Sequence, residues 1–201
     1  MKPETYYANA RLDVVDIIPK GRYPLILEVG GGDFPTLRKL GDDHGAQIWG
    51  VDVRRPELEF DTFVEGSITD PTVVAKLPEG RIDLIVANDV IEHIDQTDEF
   101  FRVLHTLLSP GGVLALSVPN IRQIRTAYQI FLRGTFPRDD AGLFDRTHLR
   151  WFCKKDVVTL ATRAGFTLKD WRGSGRLVPA ALARLPTAEF FALQNLFVFT
   201  K

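Results

Sequence analysis

Short apolar runs alternate with amphipathic segments along most of the chain. LILEV (25–29) reads as a buried strand, and IDLIVAN (82–88) is nearly continuous in apolar residues, as a central parallel strand should be. IWGVDV (48–53) and VLALSV (113–118) read as two more strands, and TFVEGSI (62–68) as a weaker one. Helical patterns fall between them. Residues 35–41 begin with Pro35, whose missing N–H costs nothing at the first helical position. TDPTVVAKL (69–77) has the look of a capped helix. Over residues 95–108, Phe100, Val103, Leu104, Leu107 and Leu108 recur at helical spacing, and SPGG (109–112) stops the run. Such alternation implies a parallel sheet with helices on both faces.

The remainder breaks the rhythm. Residues 120–150 hold a helical pattern, IRQIRTAYQIFLR, and then a loop rich in Gly, Pro, Asp and Arg. KKDVVTLATRAG (154–165) is amphipathic, with Gly165 placed to end it. FTLKDW (166–171) and NLFVFTK (195–201) read as a strand pair at one sheet edge, joined through a segment with helical pattern around GRLVPAALARLPTAEFF. No linker separates a second domain, so residues 1–201 are expected to form one unit. Within it, 1–24 would be an N-terminal lid or edge segment and 120–150 a cap over the substrate.

Composition narrows the function. The net charge is −1, which gives no general case for nucleic acid or a membrane surface. A single cysteine, Cys153, excludes an intramolecular disulfide and a cysteine-based zinc site. No apolar run reaches the length of a membrane span, and MKPETYYANARLD is too polar for a signal peptide, so a cytoplasmic protein is expected. A homodimer is compatible with these features.

The candidate chemistry starts at LILEVGGGDFPTL (25–37). A glycine turn after the first strand lets a ligand approach bare main chain at Gly30, Gly31 and Gly32. Glu28 precedes the turn, where a buried carboxylate needs a partner that a cationic ligand group would provide. Asp52 closes the second strand, the place of a carboxylate that bridges ribose hydroxyls. A dinucleotide fingerprint would place a third glycine at position 35, which is Pro35, and Asp33 puts negative charge where phosphates would lie. Both features disfavour NAD and favour a ligand without phosphates.

Together with WGVDV (49–53), VEGSI (64–68), RIDLIVANDVIEHI (81–94), LLSPGGVLALSVPN (107–120) and HLRWFCKKDVVTLATRAGF (148–166), this stretch resembles the class I S-adenosylmethionine-dependent methyltransferases. The resemblance implies a Rossmann-like, doubly wound α/β fold. Its sheet would be mostly parallel and seven-stranded, with an antiparallel C-terminal edge strand. It also implies S-adenosyl-L-methionine as cofactor, with Glu28, Gly30, Gly31 and Gly32 in its loop. Asp52 and Val53 would lie at the ribose, Ser67 and Ile68 along the adenine, and Asn88 and Asp89 beside the methionine moiety. The acceptor would be a small molecule, methylated at oxygen.

Phe34 departs from the family, which usually has a small residue there. Either its ring points into the core or it narrows the cofactor pocket. The second case would leave a non-catalytic binding protein; an NAD-dependent oxidoreductase is the remaining alternative. For a base at the acceptor, His148 and His93 are the candidates, with Asp145 as a third. His44 and His105 read as structural or surface residues. No pair of residues shows metal-ligand spacing, so no metal is expected. The arginines of the cap, Arg122, Arg125, Arg133, Arg138, Arg146 and Arg150, read as a solvated face in preference to an anion cradle. Tyr6, Tyr7 and Arg11 either cover the cofactor or pack on the sheet edge.

Overall fold

The computed structural model describes residues 9–57, 60, 62–175 and 183–201. Seven strands form one sheet: β1 Leu25–Val29, β2 Gln47–Asp52, β3 Phe63–Glu65, β4 Ile82–Asn88, β5 Leu108–Pro119, β6 Thr167–Ser174 and β7 Gln194–Thr200. Their order is β3-β2-β1-β4-β5-β7-β6. The first five pair in parallel, and β7 runs antiparallel to both β5 and β6. The antiparallel strand therefore sits one place in from the edge, with β6 outside it. The most apolar strand, β4, takes the middle of the sheet, where both faces are covered.

Six α-helical segments accompany the sheet: α1 Leu12–Val15, α2 Pro35–His44, α3 Pro71–Val74, α4 Thr97–Leu107, α5 Ile124–Ala127 and α6 Lys154–Arg163. Side chains alternate across each strand, so the core divides in two. Leu27 and Val29 pack with Phe100, Phe101 and Leu104 of α4 and Val157 and Ala161 of α6 on one face. Ile26 packs with Val14 of α1 and Phe34, Leu37 and Leu40 on the other.

Several boundaries differ from the sequence pattern. The third strand covers only residues 63–65, and the helix after it only 71–74. SPGG does not lie outside the sheet: β5 begins at Leu108, and the pairing with β4 shifts register between Ile82 and Leu84 to absorb the extra residues. The helical pattern at 121–133 becomes a single turn, α5, running into a wider π turn at Tyr128–Leu132. The segment before β7 holds a 3-10 turn at Pro186–Phe190. The helix α1 carries no sequence signal strong enough to announce four residues. No helix among the described residues is long and apolar enough to cross a membrane.

The strand order reverses between β1 and β4. In a doubly wound sheet that reversal opens a crevice outside the carboxyl ends of the strands. A cleft of about 1110 Å³ lies there, lined from β1, β2, β4, β5 and the cap segment 140–148.

Candidate functional site

The cleft's first wall is the turn after β1. Gly30 has φ +69°, and a Cβ there would come within 2.5 Å of Val90 Cγ2. Its N–H donates to the Val51 carbonyl at 2.8 Å, which ties the turn to β2. Gly32 donates its N–H to the Asp52 carboxylate at 3.0 Å, and Arg54 N–H donates to the same carboxylate at 2.8 Å. Asp52 is thus oriented by main chain before any ligand arrives. Gly30, Gly31, Asp52, Val53, Ser67 and Ile68 all line the cleft.

Phe34 does not line it. The residue adopts a left-handed conformation, φ 57° and ψ 40°, and is fully buried. That backbone costs roughly 1–2 kcal/mol for a non-glycine residue. Burial of the ring offsets it by about 2–3 kcal/mol. The ring turns beneath the loop, edge-on to Phe60 and Phe63 at 5.3 and 6.0 Å between centroids. Gly31 makes room for it: a Cβ there would lie 2.4 Å from the Phe34 ring. So one of the three glycines serves an aromatic side chain in the core, and the departure at position 34 leaves the cleft open.

Glu28 is buried to 2% exposure, and burial pushes its carboxyl pKa up to about 7. Its partners belong to the protein. Leu37 N–H, in the first turn of α2, donates to it at 2.9 Å, and Asn88 Nδ2 at 3.2 Å. Because Phe34 offers no side-chain cap, Glu28 does that work from the neighbouring strand. A cationic ligand is not needed to explain it. Asn88 Oδ1, in the same wall, is buried without a hydrogen-bond partner among the described residues, as is Gln194 Oε1.

Asp89 stands at the carboxyl end of β4 with φ 55°. Its carboxylate accepts from Ser117 Oγ at 2.9 Å and from Arg11 Nη1 at 3.0 Å. Arg11 also pairs with Asp13 and donates its main-chain N–H to Thr36 Oγ1. The N-terminal segment is thereby fastened to the strand ends, with Asn9 and Arg11 in the cleft wall. Tyr6 and Tyr7 lie outside the described residues.

The second wall joins the turn after β4 to the cap. His93 Nδ1 is 3.1 Å from the carbonyl of Thr147, and His148 Nδ1 is 2.9 Å from that of Leu143. A carbonyl only accepts, so each Nδ1 carries a hydrogen, and in a neutral ring the lone pair is then on Nε2. The two rings meet edge to face, 4.8 Å between centroids. Glu92, 1% exposed, brings Oε1 to 4.0 Å from His148 Nε2. Asp145 plays another part: its Oδ1 accepts from Thr147 N–H at 2.9 Å and Thr147 Oγ1 at 2.6 Å, shaping the turn that carries His148.

Glu92 was not among the candidates read from the sequence. Its position directly after the central strand, beside His93, was the signal available. The fold also makes a cluster from residues whose spacing suggested none: one donor atom each from Glu92, His93 and His148 lies within 4.8 Å of the others. The remaining histidines are elsewhere, His44 against Tyr23 and His105 against Phe166. Of the cap arginines only Arg146 lines the cleft, and it pairs with Asp140. Arg122 pairs with Glu189 and Arg150 with Asp95.

Comparison with known proteins agrees with this geometry. A family model described as a methyltransferase domain matches residues 9–170. Phosphoethanolamine N-methyltransferase 2 of Caenorhabditis elegans is 28% identical over 102 residues, which is 46% of this chain and 23% of that protein. A 2-methyl-6-phytyl-1,4-hydroquinone methyltransferase of Synechocystis is 25% identical over 134 residues, 62% of this chain and 40% of that protein. The chain spans less than half the length of these curated relatives. A solved S-adenosylmethionine-dependent methyltransferase from Archaeoglobus fulgidus superposes with a TM-score of 0.68 over 98% of this chain and 94% of that one. At 17% identity that likeness speaks for the fold alone.

Proposed function

The chain belongs to the class I S-adenosylmethionine-dependent methyltransferase family, and from that premise we propose that it methylates a small molecule at oxygen. The cleft residues fit the cofactor. Gly30 lines the cleft with bare main chain, and Asp52 is held ready for ribose hydroxyls. Asn88 Oδ1 and Gln194 Oε1 are buried acceptors without partners among the described residues, suited to an ammonium group. Acids outnumber arginines around the cleft, with Glu28, Asp52, Asp89, Glu92, Asp140 and Asp145 against Arg11 and Arg146. That balance favours a cation. When bound, S-adenosylmethionine supplies a methyl group on a sulfonium, already activated and leaving a neutral thioether behind.

The protein's own work is to place the acceptor, keep water out and remove a proton. Glu28, Gly30, Gly31, Asp52, Val53, Ser67, Ile68, Asn88 and Asp89 would hold the cofactor, and the cap segment 120–150 would cover the acceptor. The observation that carries the oxygen assignment is the pair of imidazoles in the cleft wall, each held through Nδ1 against a main-chain carbonyl. A hydroxyl must lose a proton as the methyl is transferred, and an imidazole beside it can take that proton. When the cluster acts alone, His148 Nε2 takes that proton. A phosphorylated acceptor is disfavoured, because Arg146 alone of the cap arginines lines the cleft and it is paired with Asp140, while Arg122 and Arg150 pair with Glu189 and Asp95.

Calorimetric titration with S-adenosylmethionine, its demethylated product and NAD tests the first half. Heat from the first two only is expected; heat from NAD alone would make the protein an oxidoreductase, and no heat from any of them a binding module. Transfer of an isotope-labelled methyl to panels of phenols, alcohols and amines tests the second. Label recovered on nitrogen and never on oxygen would overturn the assignment.

A further inference from the structure

Glu92, His93 and His148 have the composition of a metal-ligand set: two imidazoles and one carboxylate. We propose that these three side chains bind one divalent transition-metal cation of the zinc type in the cleft wall, and that this cation receives the acceptor's hydroxyl. The second half rests on the oxygen-methylation reading; the site itself rests on geometry alone.

Four observations support it. First, both imidazoles have Nδ1 against a main-chain carbonyl, a contact that favours the tautomer a metal requires. A ligating histidine typically donates its other ring N–H to a carbonyl or carboxylate, which fixes the ring and directs the remaining lone pair. His93 uses the Thr147 carbonyl and His148 the Leu143 carbonyl in that way. Second, the donor atoms are close, all within 4.8 Å, with His148 Nε2 and Glu92 Oε1 4.0 Å apart. Ligands at about 2.0–2.2 Å around a tetrahedral ion are roughly 3.3–3.6 Å from each other. Side-chain adjustments on the order of 1 Å therefore close the set.

Third, the two segments are fastened together by main chain. Leu149 N–H donates to the Glu92 carbonyl at 2.8 Å, Arg150 N–H reaches the same carbonyl at 3.3 Å, and Arg150 pairs with Asp95. The three side chains are thus brought together by a staple that does not depend on them. Fourth, Glu92 and His148 are both buried yet line the cleft. A dication against the carboxylate would offset part of the cost of burying it. Three protein ligands leave a position for an acceptor oxygen, as in catalytic zinc sites.

The donor types select the ion. Imidazole suits zinc, iron, nickel and copper, while magnesium and calcium prefer oxygen-only shells. A hydroxyl on such an ion is acidified toward neutral pH, and its proton leaves to water. In the loaded protein the imidazoles are ligands, and the ion takes over the task that His148 performs alone.

The tag-free chain, stripped with a chelator, is titrated with Zn²⁺ by calorimetry and with Co²⁺ by its visible ligand-field absorption. One equivalent of each is expected, and Mg²⁺ should give no comparable heat. His93→Ala and His148→Ala should each weaken Zn²⁺ binding by about 100-fold or more. Glu92→Gln keeps the shape and should weaken it as well, with the thermal midpoint recorded to show the chain still folds. His44→Ala and Cys153→Ser should change nothing. Absence of stoichiometric binding, or binding that survives both histidine substitutions, overturns the site. S-adenosylmethionine is titrated in parallel. Should it give no heat while Zn²⁺ binds as expected, the methyl-transfer reading falls and the metal site stands.

Discussion

The glycine wall of the cleft is built from main chain, and the histidine wall from side chains that two distant segments supply. At the first, Gly30, Gly32 and Asp52 are linked by N–H groups within one β1–α2–β2 unit. At the second, His93 meets the carbonyl of Thr147, 54 residues downstream. A main-chain wall changes little from one ligand to another, which suits a cofactor. A side-chain wall on a loop can be rebuilt without disturbing the sheet, which suits an acceptor. If this division holds, substitutions on one wall should leave the other wall's ligand untouched.

The sharpest test uses His148→Ala. Methyl transfer should fall by about 10²–10⁴-fold, the range for loss of a general base. S-adenosylmethionine affinity, by calorimetry, should stay within about twofold, since the residue lies on the other wall. A parallel fall in affinity would show that the walls are not independent.

Phe34 tests the division from beneath. Phe34→Gly removes a buried ring but also a left-handed strain, so the net loss of stability should be about 2–4 kcal/mol by urea unfolding. Cofactor affinity should hold, because the ring faces Phe60 and Phe63. Gly31→Ala should cost less in the Phe34→Gly background than alone, since its Cβ would strike that ring at 2.4 Å. Additive costs would contradict the packing described.

How much of this the sequence disclosed follows the same division. The glycine wall was legible because its residues are close in sequence and their types are demanded by local geometry: a turn needs Gly30, and a strand end shows Asp52. The sheet was legible for the same reason, since β4 and α4 announce themselves by unbroken or regularly spaced apolar residues. The role of Phe34 was not, because the direction of a ring depends on Gly50 and Phe63, which arrive from β2 and β3. Nor was the cluster of Glu92 with His148. Spacing along the chain cannot show a contact made by folding the cap back over β4. The protein partners of Glu28 were not legible either, because the open N-terminus of α2 reaches its carboxylate only once helix and strand are packed.

Glu28 belongs to the glycine wall and gives it a pH dependence. Its carboxyl has an ordinary value of 4.5 and is raised to about 7 by burial. The folded state therefore binds this proton more tightly than the unfolded chain does. The stability it contributes is complete below pH 4.5 and is lost as pH rises through about 7. Between pH 5 and 7 the chain should lose about 2 kcal/mol from this group. Glu28→Gln should remove that slope in urea midpoints measured across the range. An unchanged slope would assign it to another residue.

Asp52 should give the smallest effect and the most specific one. Gly32 and Arg54 N–H reach different oxygens of Asp52, so Asp52→Asn keeps an acceptor for one of them and turns an amide NH2 toward the other. The charge offered to a pair of hydroxyls is lost as well. Hydrogen bonds to a charged group contribute about 1.5–3 kcal/mol against about 0.5–1.5 for neutral ones. Affinity for S-adenosylmethionine should therefore fall about tenfold. Transfer at saturating cofactor should stay close to the parent rate, because the histidine wall is intact. A loss in the saturated rate with no loss in affinity would move Asp52 from the cofactor's wall to the acceptor's. The two-wall description would then fail at the residue on which it leans most.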